Sequence, residues 1–334
     1  MRRMRIVLLV VLLSCAAAAS VRAQEKDPAP KVEFVTVQPG VRLEVLDWGG
    51  PPAHGPGSAL VFLAGLGQTA HAFDAFAPRF TDRYHVYGIT RRGFGASSQP
   101  APTDANYSAE RLGLDVVAGI DALHLDKPVL VGHSIAGEEL SWVGSTHPEK
   151  VAGLIYLDAA DAYGFYDAKR GNIQIDLLDV KRRLDAFRAG AIYDRAFVDG
   201  LRTSVAQLNR DLDAESVRMA EMPDVPAPPP PPPIPLAVWF GMERFTKIEA
   251  PAMAIFACPH DMTPAFRGAL ANDVMAQMAL RAQDLQRCVD QSNAFERAMP
   301  ADPVVRIADA DHYVFRSNPD MVARAMRSFL AKLQ

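Results

Sequence analysis

Six short runs built around unbroken apolar cores constrain the fold of this chain more than any other feature. They are ALVFLAG (59–65), YHVYGIT (84–90), KPVLVGH (127–133), VAGLIYLDAA (151–160), PAMAIFAC (251–258) and PVVRIAD (303–309). A strand wetted on one face alternates apolar and polar residues, whereas a run without alternation fits a strand covered on both faces. Between the runs lie stretches of helical period, clearest at 108–123, 135–147 and 319–333. Strand alternating with helix predicts an α/β protein with a mostly parallel central sheet and helices on both faces. Upstream, VEFVTV (32–37) and VRLEVLDW (41–48) do alternate and predict an antiparallel pair. The Gly- and Pro-rich stretch 49–58 that follows them reads as a loop.

A length of 334 residues suggests about two domains. The buried strands nevertheless resume after a long interruption, which argues for one core with an insertion. Residues 24–160 and 247–334 are expected to form that core, with 161–246 an insertion rich in helical patterns and aromatic residues. Within it, PAPPPPPPIP (226–235) contains six consecutive prolines, Pro228 to Pro233. Such a run predicts extended polyproline II, and a stiff connector is favoured over a ligand for a proline-binding module. A second helix-rich insertion covers 265–300.

The first 23 residues have Arg2, Arg3 and Arg5, then an apolar run from Ile6 to Leu13, then small residues ending in Val21-Arg22-Ala23. These are the parts of a secretory signal peptide, and the apolar run is short for a membrane span. The expectation is a secreted or periplasmic protein without a stable span after cleavage. The alternative is a lipid anchor on Cys15, in a Leu12-Leu13-Ser14-Cys15 box. Cleavage after Ala23 would remove four arginines and no acid, taking the net charge from −4 to −8. Neither value suits a nucleic-acid partner. It would also leave Cys258 and Cys288 as the remaining cysteines, open to a disulfide in an oxidising compartment or to two buried thiols.

Gly132-His133-Ser134-Ile135-Ala136 fits G-x-S-x-G with alanine in the last position, behind a buried strand and ahead of a helix. A sharp strand-to-helix turn needs small neighbours and lifts the serine hydroxyl out of the sheet. The bland alternative is a serine capping the helix. With these residues in place the chain resembles the α/β-hydrolase superfamily, over about 32–160 and 247–333. ALVFLAGLGQ resembles the family's strand and oxyanion loop, with Ala64-Gly65 where His-Gly is usual. Arg91-Arg92-Gly93-Phe94-Gly95-Ala96-Ser97 resembles its Asp-x-Arg-Gly-x-Gly-x-Ser segment, with Thr90 at the usual acidic position.

The resemblance implies that the insertion 161–246 is a helical cap or lid over the site, and it implies a catalytic set in the chain order Ser, acid, His. Ser134 is then the nucleophile. Asp261, just past the strand PAMAIFAC, is the acid, and His312, before the last helix, is the base. Asp158, at the end of LIYLD, is the competing acid. The backbone N–H groups of Leu66 and Ile135 are the expected oxyanion donors, with Gln68 as a further side-chain candidate. The other histidines show no metal-ligand spacing and no nucleotide-binding glycine motif is present, so no metal and no cofactor are expected. His260, beside Asp261, stays unassigned. The resulting expectation is a serine hydrolase acting on a small to medium hydrophobic carboxylic ester through an acyl-enzyme. Amide, lactone or C–C bond hydrolysis, acyl transfer and perhydrolysis on the same residues are alternatives, as is a non-catalytic binding protein on the same fold. A serine at this position argues against the family's aspartate-nucleophile chemistries, those of dehalogenases and epoxide hydrolases.

Overall fold

The computed structural model describes residues 29–221, 231–267 and 270–333. The leader with Cys15, and the first three of the six consecutive prolines, lie outside these residues. Eight strands form one sheet in the order β1-β2-β4-β3-β5-β6-β7-β8. β1 (Lys31–Gln38) and β2 (Val41–Gly49) pair antiparallel, and β2 pairs antiparallel with β4 (His85–Ile89). From β4 onward the sheet is parallel through β3 (Ala59–Leu63), β5 (Val129–His133), β6 (Gly153–Leu157), β7 (Ala252–Ala257) and β8 (Val304–Ile307). All eight lie on the runs anticipated from sequence.

The unalternating runs are explained by a core on each face. Leu130, Leu154, Tyr156 and Ala254 enter one apolar cluster, while Val129, Val131, Ile155 and Ile255 enter another. Successive side chains of one strand thus point into two separate cores, as the period of two requires. Helices cover these faces. α1 (Asp104–Tyr107) leads into α2 (Ala109–Ala122), which Ser108 caps by accepting from the Arg111 N–H at 3.2 Å. α3 (Ala136–Thr146) follows β5 and packs beside α2.

Residues 161–246 carry α4 (Ile173–Arg188), α5 (Arg195–Glu221) and α6 (Pro233–Phe240). A third cluster ties this segment to the core, with Tyr166, Ile175, Leu178 and Val238 packing with Leu112 of α2 and Ile135 at the start of α3. The proline run departs from the expected extended rod at its end. Pro232 is extended, with φ −55° and ψ 157°, but Pro233 and Pro235 enter the first turn of α6. The first N–H groups of a helix have no intrahelical acceptor, so prolines cost little there. α7 (Val274–Ala298) fills the second insertion. α8 (Val314–Ser317) and the strongly amphipathic α9 (Pro319–Leu330) close the chain. Among the described residues, no helix is long and apolar enough to cross a membrane.

Two buried ion pairs fix the layers near the parallel strand ends. Arg92 is fully buried and bidentate to Asp115 of α2, at 2.6 and 2.7 Å. Arg91 is bidentate to Glu139 of α3, at 2.7 and 2.6 Å, and donates to the Ala64 carbonyl at 3.1 Å. Thr90, where the resembled segment usually carries an acid, donates to Glu44 at 2.7 Å and accepts from the Ala70 N–H at 3.0 Å.

Candidate active site

In an open parallel sheet, ligands bind beyond the carboxyl ends of the strands. Four adjacent strands here deliver chemistry at that edge: Ser134 after β5, Asp158 after β6, His260 after β7 and His312 after β8. Ser134 and Asp158 are each the first residue past their strand, and both hold a left-handed backbone, with φ of +54° and +47°. For a non-glycine residue this costs roughly 1–2 kcal/mol. Their backbone N–H groups donate to the neighbouring strands, Ser134 to Leu157 at 3.3 Å and Asp158 to Ile255 at 2.7 Å. The strand pairing therefore holds the strained residues in place.

Ser134 does not cap its helix. Ile135 stands at the N-cap position of α3, with no side-chain cap. The Ser134 hydroxyl donates instead to His312 Nε2 at 2.8 Å, and His312 Nδ1–H donates to Asp158 Oδ2 at 2.7 Å. The structure thus joins His312 to Asp158, the competing candidate, and not to Asp261. Asp261 is exposed, and its carboxylate accepts from the Thr263 N–H at 2.9 Å rather than from His312. The reason lies in the strand exit. The Asp261 N–H is drawn to the Ala310 carbonyl at 2.8 Å, and His260 takes the inward position that the acid was expected to occupy.

Asp158 is nearly buried, and burial alone would favour its neutral form. Hydrogen bonds from His260 and His312 outweigh that effect and hold the carboxyl well below the usual carboxylate range. Its other oxygen accepts from the Ala257 N–H at 3.0 Å. His133 lies directly behind His312, its ring centroid 4.7 Å away, and Nε2–H donates to the His312 carbonyl at 3.1 Å. Burial, reinforced by His312, pushes the His133 imidazole down to about 3, so it is neutral and serves as a wedge.

The loop after β3, the expected oxyanion loop, lies against this group. A Cβ at Gly65 would stand 2.9 Å from His133 Nδ1 and 3.2 Å from Ser134 Cβ, so glycine is what lets the loop approach the serine. A similar approach explains Gly137 in α3, where a Cβ would meet the Ala159 carbonyl at 1.8 Å. Among the described residues, the N–H groups of Leu66 and Ile135 donate to no protein acceptor. Gln68 is not directed at the serine. It donates to the Tyr313 hydroxyl at 3.0 Å, beside His312.

Above the serine is a cavity of about 640 Å³, whose apolar wall includes Tyr163, Trp239, Phe256, Met262 and Pro264. Burial, with the charges of Asp161 and Asp158 adding, pushes the Tyr163 phenol well above its ordinary value, so it remains a hydrogen-bond donor. Asp158, His260 and His312 offer three atoms within 4.8 Å of one another. Those atoms are already joined to each other by N–H···O bonds. The grouping is thus a carboxylate between two imidazoles, without spare lone pairs converging on an ion.

His260 and Arg91 were the functional-site residues least visible in the sequence. Arg91 lies in a recognisable segment, yet its role as a tie between the oxyanion loop and α3 depends on Glu139, 48 residues away. The disulfide left open by the cysteine count is present, joining Cys258 to Cys288. It fastens the loop after β7 to α7.

The Alpha/beta hydrolase family profile matches residues 60–325. The chain is 22% identical to 2-(acetamidomethylene)succinate hydrolase of Mesorhizobium japonicum, over 83% of this chain and 89% of that protein. It is 30% identical to 3-oxoadipate enol-lactonase 2 of Acinetobacter baylyi, over 35% of this chain and 43% of that protein. The enol-lactonase match therefore spans less than half of that protein. Among solved structures, a hydrolase from Pseudomonas aeruginosa PA01 superposes with a TM-score of 0.55 at 21% identity. That superposition covers 91% of this chain and 99% of the other, a likeness of fold. With its matched span running from β3 into the last helix, the chain belongs to the alpha/beta hydrolase family and is a hydrolase.

Proposed function

We propose that the chain is a serine hydrolase that cleaves a carboxylic ester through an acyl-enzyme. The observation that carries this is the continuous chain of hydrogen bonds from Ser134 through His312 to Asp158. Ser134 Oγ attacks the acyl carbon as His312 Nε2 takes its proton, and His312 then returns that proton to the leaving alkoxide. Asp158 holds the tautomer with Nδ1 protonated and stabilises the imidazolium that forms. Water repeats the sequence on the acyl-enzyme and releases the acid. The Leu66 and Ile135 N–H groups are the donors for the developing oxyanion. Residues 161–246 act as a cap that supplies Trp239 and Tyr163 to the cavity wall. The amino-terminal pattern and the disulfide support a secreted or periplasmic protein.

The cavity also favours a substrate class. Asp158, Asp161, Asp261, Asp284 and Asp311 border it, opposed by Arg287 and His260. A field of that sign repels a substrate bearing two carboxylates, such as the one named for the Mesorhizobium relative. An uncharged ester with apolar acyl or alcohol groups, open-chain or cyclic, suits the aromatic wall.

A fluorophosphonate probe tests the reaction class. Labelling should map to Ser134 and vanish in Ser134→Ala and His312→Ala. Folded wild-type protein that resists the probe and hydrolyses none of a panel of neutral esters would overturn it. Turnover in Ser134→Ala should fall by about 10⁴–10⁶.

A further inference from the structure

The hydrogen-bonded chain does not stop at Asp158. His260 Nε2 lies 2.8 Å from Asp158 Oδ2, the same oxygen that accepts from His312. His260 Nδ1 lies 2.9 Å from Asp284 Oδ1, and the His260 backbone N–H donates to Asp284 Oδ2 at 2.8 Å. A carboxylate can only accept and a neutral imidazole has one N–H. Two carboxylates, one at each ring nitrogen, are therefore satisfied together only by an imidazolium. We propose that His260 is a positioning residue, an imidazolium clamp that holds Asp158 in line with His312 and is itself held by Asp284. The proposal rests on Asp158 being the acid of the Ser134 site.

The surroundings fit a fixed positive charge. Asp284 comes from α7, where Arg287 also donates to it at 3.1 Å and reaches Asp161 at 2.9 Å. Cys288, one turn past Asp284, is bonded to Cys258, two residues before His260. His312 faces the clamp from the exit of β8, with ring centroids 6.2 Å apart. On the outer side, Asp261, Arg281 and Asp309 share a cavity of about 320 Å³ with His260. Burial opposes the charge, but the hydrogen bonds to Asp158 and Asp284 raise the His260 imidazole to about 9. Asp284, despite burial, is held down at about 2, with the His260 bond its main support.

The sign of the pH effect follows. A raised imidazole keeps its contribution intact below its ordinary value near 6.5 and loses it as the pH climbs through about 9. Above that point a single N–H remains for two carboxylates. Either Asp158 or Asp284 then faces a lone pair, and in the tautomer that leaves Nε2 bare the orientation of Asp158 at φ +47° loses one of its donors. Turnover should decline while substrate binding, made by the cavity wall, stays.

Nitrogen-15 NMR of the histidine rings in the intact wild-type protein reads the clamp directly. Both His260 nitrogens should be protonated at pH 7.5 and one should lose its proton near pH 9, at lower pH in Asp284→Asn. A singly protonated ring at pH 7.5 would sink the proposal whatever the enzyme hydrolyses. In parallel, p-nitrophenyl acetate hydrolysis is followed against pH for wild type, His260→Gln and Asp284→Asn. Both variants should lose about 10–100-fold in kcat with little change in KM; His260→Gln should also lose the alkaline limb near pH 9, whereas Asp284→Asn should shift it to lower pH. Fluorophosphonate labelling of Ser134 is run on the same samples. A labelled wild type whose variants keep the wild-type kcat and alkaline limb overturns the clamp alone. A wild type that neither labels nor turns over overturns the serine-hydrolase assignment, and the NMR result still decides the protonation of His260.

Discussion

Replacing Asp158 by asparagine is the sharpest perturbation of this site, because the isosteric amide cannot satisfy the donors around it in either orientation. Asp158 Oδ1 accepts from the Ala257 N–H at 3.0 Å, and Oδ2 accepts from His312 and His260 at 2.7 and 2.8 Å. With the amide oxygen towards Ala257, the new NH₂ group faces two imidazole N–H groups. His312 can relieve the conflict only by moving its proton from Nδ1 to Nε2, which lies 2.8 Å from Ser134 Oγ. The serine then meets a donor in place of a base. With the amide flipped, the NH₂ opposes the Ala257 N–H, leaving a buried backbone donor unpaired at a cost of about 1–3 kcal/mol. Loss of the correct tautomer in a Ser-His-Asp system lowers kcat by about 10⁴, or about 5.4 kcal/mol at 1.36 kcal/mol per decade. Steady-state hydrolysis of a p-nitrophenyl ester measures this, with Asp261→Asn as the paired variant. Asp261 is exposed and its carboxylate bonds Thr263 in its own loop, so its variant should stay within about threefold of wild type. The reasoning is refuted if Asp158→Asn keeps a tenth of the wild-type kcat, or if Asp261→Asn is the variant that collapses.

Gly65→Ala should slow both turnover and fluorophosphonate labelling by about 10–10³-fold, because its Cβ would push the oxyanion loop off His133 and Ser134 while leaving the hydrogen-bonded chain intact. Unchanged labelling kinetics would show that the loop does not supply a donor. Removing the Cys258–Cys288 bond in a double serine variant opens a 30-residue loop and should cost about 3–4 kcal/mol in denaturant unfolding. Dithiothreitol should lower the stability of wild type similarly and leave the variant untouched.

The fold was legible because each buried strand announces itself without its neighbours. A run such as LVFL must be covered on both sides, and Leu60 and Phe62 do enter one core while Val61 and Leu63 enter the other. The elbow was legible for a local reason as well, since Gly132, Ser134 and Gly137 answer to a turn spanning only a few residues. Contacts that join distant segments were not. Nothing near Arg91 in sequence points to Glu139, and nothing near His260 points to Asp284, 24 residues on. The end of the proline run misled for another reason. Composition describes an extended rod, but a helix tolerates proline in its first turn, and Ile234, Leu236, Ala237 and Val238 supply an apolar surface that the rod lacks.

The displaced acid shows how strand geometry and charge decide a site together. β6 and β7 are hydrogen-bonded neighbours, with Leu157 opposite Ile255, so an acid at either exit can come near His312. The choice falls on which side chain points inward. After β6 the chain turns at once, at Asp158, and aims that carboxylate into the site. After β7 it runs on to His260, which forms a bridge with Ala310 and points towards Asp158, leaving Asp261 exposed at the cavity rim. Bringing a histidine to the place of an acid would leave an imidazole competing with His312 for one carboxylate. Asp284 resolves the competition. With His260 charged, the series Asp284, His260 and Asp158 carries a net charge of −1, the same as a single carboxylate. Removing only the imidazolium, as in His260→Gln, raises that to −2 and leaves two buried carboxylates with a single neutral amide between them. A double variant, His260→Gln with Asp284→Asn, restores −1. It should recover part of the kcat lost in His260→Gln if charge balance around Asp158 is what the clamp provides, and none of it if the ring serves only to fill space.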